Sequence, residues 1–203
     1  MDKRKLAIAY FIRYLALFFI IILAIFKRTR FAYSYLYQCT QTYSKLFLLK
    51  GNITVINIRQ AELEDLAAVV SMFEQYRHFY QCENNTVLAT DFIKARMEQQ
   101  ESIIFIAETG KQNKEIAGFV QLYPLFTSTG MKKLWLLNDL FVDESYRKQG
   151  IAEKLIEAAK SLAQQTSARG LMLETSAKNL PAQALYEKVG FIKSPSFYYT
   201  LDL

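Results

Sequence analysis

The sequence predicts an α/β domain built on one mixed sheet, with an apolar N-terminal helix outside it. Three observations carry this. Two apolar, β-rich runs at 102–109 and 116–126 flank a polar turn, GKQNKE, which reads as an antiparallel hairpin. From residue 134 onward, strand-like and helix-like stretches alternate, and strands joined by helices pair in parallel. Residues 6–26, LAIAYFIRYLALFFIIILAIF, are apolar except for Arg13.

Each element follows from its pattern. In INIRQAELED, 56–65, Ile56 and Ile58 alternate with polar neighbours, as in a strand that runs into a helix. Leu63, Leu66, Val69, Val70 and Phe73 then take helical spacing, and the helix continues through QYRHFY, 75–80. A polar break at 83–86 follows, and Thr90 is the expected N-cap of DFIKARMEQQ. SIIFIAET, 102–109, and IAGFVQLYPLF, 116–126, form the hairpin. LWLLNDLFVD, 134–143, is a near-continuous apolar run, as expected at the centre of a sheet. A helix is expected at 151–165 and a short buried strand at 171–176. PAQALYEKVG, 181–190, starts a helix with Pro181 and stops it with Gly190. Residues 191–203 are expected to close the fold with one or two strands.

The N-terminal segment stands apart. As a helix, 6–26 spans about 30 Å, roughly one bilayer core. Cations flank both ends, and no small-residue cleavage site follows. Residues 1–52 are therefore read as an extension with a candidate transmembrane helix, and 53–203 as the folded domain. A second reading treats the whole segment as an over-extended start. If it spans, Lys27, Arg28, Arg30, Lys45 and Lys50 outnumber Lys3, Arg4 and Lys5, which places the domain on the cytoplasmic side.

The net charge of +6 is misleading. Nine of the 25 Lys and Arg lie before residue 53 beside a single acid, so the remainder sums to −2. A nucleic-acid-binding domain concentrates positive charge on its folded part, so that class is set aside. A mildly acidic domain suits a small cationic ligand better. Cys39 and Cys82 form no paired motif, and His78 is the only histidine, so neither a disulfide framework nor a metal site is expected.

The chemistry concentrates in SYRKQGIAEKL, 145–155. Arg147 and Lys148 precede Gly150, where an amphipathic helix begins. The first amides of a helix lack intrahelical partners and, with the helix dipole, attract anions. Gly150 lets a ligand approach, and the two cations add charge-assisted contacts. A pyrophosphate cradle fits this stretch; so does a plain strand-to-helix turn with solvated charges. It lacks the Gly-Lys-Ser/Thr element of a Walker loop and two of the three glycines of a dinucleotide fingerprint.

LNDLFVDESYRKQGIAEKLIEAA resembles the central motif of the GNAT superfamily of acetyl-CoA-dependent N-acetyltransferases, in which a strand is followed by Arg/Gln-x-x-Gly-x-Gly/Ala on a helix N-terminus. Here that motif reads Arg147-Lys148-Gln149-Gly150-Ile151-Ala152. NLPAQALYEKVGF, 179–191, is similar to the family's second block, Asn-x-x-Ala-x-x-Leu-Tyr-x-x-x-Gly-Phe. The resemblance covers residues 53–203 and implies the GNAT sheet and acetyl-CoA as co-substrate. It implies that the backbone of Leu140, Phe141 and Val142 pairs with the pantetheine arm. The amides from Lys148 through Gln149, Gly150, Ile151 and Ala152 to Glu153 would hold the pyrophosphate. Asn179 would contact the cofactor, and Tyr186 would protonate the departing thiolate. A packing role beside Leu185 is the other reading of Tyr186.

An amine is protonated at neutral pH and must lose a proton before it attacks a thioester. Asn138 and Asp139 interrupt an apolar strand, and a buried lone carboxylate is costly. Asp139 either meets the cationic amine or is a hydrogen-bonded structural residue. Asn138, Tyr80, Glu83, Gln121 and Tyr123 are expected on the acceptor side, with Tyr76, Arg77 and His78 as further candidates. QLYPLF ahead of the Asn-Asp-Leu-Phe-Val strand is similar to diamine-acetyltransferase-like members. The expected partner is thus a small amine such as a polyamine, or a peptide amine, acted on by a monomer or dimer. A non-catalytic CoA-binding module is the alternative outside enzymes.

Overall fold

The computed structural model describes residues 56–110 and 115–203. The expectations for residues 1–52, and for the tip of the GKQNKE turn at 111–114, lie outside these. Among the described residues no helix is long and apolar enough to cross a membrane.

The element order is β1 (Ile56–Gln60), α1 (Leu66–Phe79), α2 (Thr86–Glu98), β2 (Ile103–Thr109), β3 (Glu115–Thr127), β4 (Lys132–Val142), α3 (Ile151–Gln165), β5 (Leu171–Met172) and α4 (Leu180–Lys188). The sheet order is β1-β2-β3-β4-β5. The first four strands are antiparallel, and β5 runs parallel to β4. This is the mixed sheet that the hairpins and the late helical crossover imply.

Two cores form, one on each face. Ile151, Leu155, Ile156, Ala159 and Ala163 of α3 pack on Val120, Leu122, Trp135 and Leu137. Their spacing places every one of them on a single helical stripe. Leu155 and Ile156 are fully buried, and each such side chain contributes about 1.5–3 kcal/mol. On the opposite face Val69, Val70 and Met72 of α1 and Ile93 of α2 cover Ile104, Ile106, Phe119 and Phe141.

Three expectations need correction. Helix α2 starts one turn before Thr90: Asn85 caps it, accepting the Leu88 N–H at 3.1 Å. Thr90 lies inside the helix and donates its hydroxyl to the Thr86 carbonyl at 2.7 Å. The exposed apolar Val87 and Leu88 disguise this first turn as loop. Next, β5 is only two residues long instead of six. Finally, residues 191–203 form no strand. Among the described residues the edge that β5 offers ends at Met172, and a strand needs a ladder.

Candidate active site

The site is built around a bulge in β4. Gln121 pairs with Asp139, but the next residue, Leu122, pairs with Leu137. Asn138 is therefore an extra residue on β4. The bulge changes which face the strand presents. Before it, Trp135 and Leu137 belong to the α3 core. After it, Phe141 belongs to the α1 core, while Leu140 and Val142 pack toward α3. Asp139 thereby shares a face with Phe141 and turns toward α1. A regular strand would have left it in line with Trp135 and Leu137 on the α3 side.

Asp139 is 4% exposed. Asn138, itself exposed, donates its side-chain Nδ2 to Asp139 Oδ2 at 3.1 Å. The Tyr76 hydroxyl on α1 also hydrogen-bonds this carboxylate. Burial nevertheless holds the Asp139 carboxyl above the usual carboxylate range, against those two bonds. The acid thus has a raised proton affinity and neutral partners, the condition of a base that can take a proton from an ammonium.

Tyr76 and Tyr123 lie near it, and Tyr80 and Tyr186 lie near Tyr76. Tyr76 makes edge-on ring contacts with Tyr80 at 5.0 Å, Phe119 at 6.1 Å and Phe141 at 6.4 Å. Burial and then the Asp139 charge push its hydroxyl up. Tyr123 is pushed to about 12, by burial first and the Asp139 charge second. Tyr186 on α4 is also pushed to about 12, by burial and then by neighbouring Tyr80. Its ring packs edge-on against Phe191 at 5.7 Å. The hydroxyls of Tyr76, Tyr123 and Tyr186 carry their protons at neutral pH. Tyr186 is therefore both packed, as one reading of the sequence held, and protonated, as the other requires.

The remaining acceptor-side candidates divide. Gln121 is fully buried beside the bulge; its Nε2 donates to Ser102 Oγ at 2.9 Å, and its Oε1 has no partner among the described residues. Ser102 carries no sequence signal of its own. Glu83 and His78 are exposed, and Arg77 pairs with Glu74 at 3.2 Å. The last turn of α1 directs Tyr76 inward and leaves Arg77 and His78 outside the tyrosine group.

Beyond the bulge β4 has a free edge. Its pairing with β5 covers only Trp135 and Leu136. Asp143 donates its N–H to the Ala117 carbonyl of β3 at 2.9 Å. Because an antiparallel ladder alternates, Leu140 and Val142 direct their N–H and C=O the other way, toward the side β5 has left. An unpaired strand edge of this kind accepts an extended ligand as an added strand.

The edge leads to the N-terminus of α3. The first intrahelical bond runs from the Lys154 N–H to the Gly150 carbonyl at 3.2 Å. The N–H groups of Ile151, Ala152 and Glu153 have no helical partner, and no side chain caps them. By contrast Asn85 caps α2, and Asn179 caps α4 by accepting the Ala182 N–H at 3.3 Å. Gly150 has φ +77°, a left-handed conformation, and a Cβ there would meet nothing within 4 Å. Lys148 is left-handed too, with φ +60°. Glu153 is tied to α4 through Lys188 at 2.6 Å. Gln149 leans back toward the Ser145 carbonyl at 3.5 Å.

Arg147 lies away from those amides. Its Nε donates to the Val142 carbonyl at 3.0 Å. Its guanidinium sits 5.7 Å from the Phe141 ring and 5.9 Å from the Phe79 ring. It forms one wall of an open recess of about 870 Å³, which Val70, Glu74, His78, Phe79 and Phe141 also line.

Comparison with known proteins gives the family and the fold. The model of the acetyltransferase (GNAT) family matches residues 69–191. An uncharacterized N-acetyltransferase of Bacillus subtilis is 44% identical over 149 residues, covering 73% of this chain and 98% of that protein. A probable acetyltransferase of known crystal structure superposes with a TM-score of 0.69 at 36% identity, over 72% of this chain and 97% of the other. An aminoglycoside N-acetyltransferase in complex with CoA shares the fold, with a TM-score of 0.63 at 18% identity, over 73% and 95% of the two chains.

Proposed function

The chain belongs to the acetyltransferase (GNAT) family, and from that premise we propose that it moves the acetyl group of acetyl-CoA onto a primary amine of a small cationic molecule, such as a polyamine. The observation that carries the acceptor class is Asp139. It is a buried carboxylate with a raised proton affinity whose hydrogen-bond partners, Asn138 and Tyr76, are both neutral. Among the described residues no cation pairs with it, and an ammonium supplies both the charge and donors. The aromatic rings of Tyr76 and Tyr123 nearby would favour the same ligand through cation–π attraction.

The residues present fit acetyl-CoA. The uncapped amides of Ile151, Ala152 and Glu153 suit a pyrophosphate, with Lys148 at hand, and the open space above Gly150 leaves room for it. The outward backbone groups of Leu140 and Val142 suit the amide-bearing pantetheine arm. Asn179 would meet the cofactor beside its capping bond. Acetyl-CoA supplies the activated acyl group as a thioester.

The protein's residues then divide the proton chemistry. Asp139 draws the ammonium in and takes its proton, yielding the free amine that attacks. Backbone N–H groups where β4 and β5 part company stabilise the oxyanion that develops. Tyr186, protonated throughout the neutral range, gives its hydroxyl proton to the departing thiolate. Gln121, Tyr123, Tyr80 and Asn138 frame the acceptor, with Glu83 on the exposed approach.

The test is release of free CoA thiol from acetyl-CoA in the presence of a panel of small di- and polyamines, run beside peptides with free N-termini. Turnover with the polyamines is expected. Turnover with the peptides alone would remove the small-amine reading and leave a peptide acetyltransferase.

For location we take the anchor reading of residues 6–26, with the catalytic domain held at the cytoplasmic face of the membrane. Its support is the apolar run and the excess of cations after it.

A further inference from the structure

We propose that Arg147 is a specificity-determining residue: a displaceable stopper on the cofactor strand that lets the site prefer thioesters bearing phosphates over those without them. The inference rests on the acetyl-CoA reading and goes beyond it.

The starting point is a competition for one atom. Leu140 and Val142 offer their backbone groups on the free edge of β4. The Val142 carbonyl is already taken, by Arg147 Nε at 3.0 Å. An arm that pairs with this edge as an added strand needs that carbonyl for one of its own amides. The oxygen has a second lone pair, but Arg147 fills one and its side chain crowds the other, so the arm competes with the arginine for this carbonyl.

The arginine is held there by more than one bond. Its planar cation lies near the faces of Phe141 and Phe79, an arrangement worth a modest attraction at a part-exposed site. The nearest carboxylate, Glu144, is 3.9 Å away and 91% exposed on its side chain, so it contributes little. The stopper is therefore built from a backbone carbonyl and two aromatic rings.

What removes it is charge. Three residues separate Arg147 from the uncapped N-terminus of α3, where Ile151, Ala152 and Glu153 present free N–H groups. A pyrophosphate there gives the guanidinium a stronger, bidentate partner than a carbonyl. A thioester with phosphates brings the ligand that releases the stopper. A thioester without them must displace Arg147 with nothing offered in return. Binding to a state populated only in part weakens apparent affinity by that fraction; both ligands meet this cost, and only the phosphate-bearing one offsets it. The result is discrimination by a cost imposed on the wrong ligand.

The prediction has opposite signs for two ligands. Binding of CoA and of S-acetyl-pantetheine, which lacks every phosphate, is measured by calorimetry on the full-length chain and on Arg147→Ala, Arg147→Lys and Phe79→Leu. Arg147→Ala should bind S-acetyl-pantetheine about 3- to 10-fold tighter than the parent, while binding CoA no tighter or more weakly. Arg147→Lys keeps the charge but loses the planar stack and the Nε donor; it should gain for S-acetyl-pantetheine and largely keep its affinity for CoA. Phe79→Leu, at a half-exposed position, should move S-acetyl-pantetheine in the same direction. Thermal unfolding confirms that each variant is folded. Arginine variants that bind S-acetyl-pantetheine no better than the parent overturn the stopper, because a residue that only contacts phosphate leaves this ligand unchanged and one that only supports the fold weakens both. A parent chain that binds S-acetyl-pantetheine as tightly as CoA overturns it as well. Failure of the parent to bind CoA at all instead removes the acetyl-CoA reading on which the stopper rests.

Discussion

Asn138 and Asp139 are adjacent on β4, yet one is exposed and the other is 4% exposed. A hydrogen bond of 3.1 Å joins their side chains. The extra residue at this point rotates the rest of the strand by one face, so Asp139 meets Tyr76 of α1 in place of the α3 core. The same irregularity lies where β5 has left β4, so backbone and carboxylate become available together. One inserted residue thus positions both the proposed base and the opening beside it.

Asp139→Asn should lower kcat/KM by about 10²-fold or more, since the amide cannot take a proton. It should also raise stability at neutral pH. The folded-state proton affinity of Asp139 is raised, chiefly by burial. Protonation therefore favours the folded state: its stabilising effect is fully present below the unfolded value and is lost as pH rises through the folded value. Above that point the parent carries a buried charge that the variant lacks. The Tm difference in favour of the variant should vanish in acid and grow toward neutrality. In the parent, the acidic limb of kcat/KM should lie above the ordinary carboxylate range. Equal Tm at pH 7 with unchanged activity would reduce Asp139 to a structural residue.

Tyr186→Phe should lower turnover by about 10²-fold if the hydroxyl is the general acid, with little change in CoA affinity. Its proton stays on to about 12, so the loss should be constant from pH 7 to 9. The basic limb of the parent's profile should then owe nothing to this group. The edge-on packing on Phe191 survives in phenylalanine, so the Tm should hold. Unaltered turnover would assign Tyr186 to packing alone.

Gly150→Glu should abolish CoA binding in a folded chain. A Cβ at this position meets nothing within 4 Å, so no clash with the protein occurs. The left-handed φ of +77° costs a non-glycine residue about 1 kcal/mol, a small part of a domain's stability. The new carboxylate stands over the free amides and opposes the phosphates. Calorimetry that finds CoA affinity intact in the folded variant would remove the cradle.

Much of the fold was legible because periodicity is strong where one face is buried. The residues of α3 are those its apolar spacing marks, 151–165. The places where the sequence misleads are those where a partner decides. The last residues, 191–203, are expected as strand, but no ladder receives them among the described residues. The two polar residues in β4 announce something unusual without revealing a bulge, because an inserted residue shows only against its partner, β3. The motif locates Arg147 correctly in the loop; its pose on Val142 depends on rings from α1 and β4 that no spacing brings together.

The last prediction concerns residues 1–52. All the elements described here, and both motifs, lie after them. The family match begins at residue 69. The remainder has a slightly negative charge, unlike the N-terminal segment, and no described helix in it is long and apolar enough to cross a membrane. A chain beginning at Ile53 should therefore stay in solution and keep the kcat/KM of the full chain, since the carboxylate, the tyrosines and the cradle all lie after the segment in the sequence. The full chain should pellet with membranes and come away with detergent, because an apolar run of this length is stable in a bilayer core and costly in water. Fractionation of the two side by side separates the outcomes. Full-length chain in the soluble fraction removes the anchor. An inactive or aggregated shorter chain shows instead that residues before Ile53 complete the fold, and the domain boundary moves toward the N-terminus.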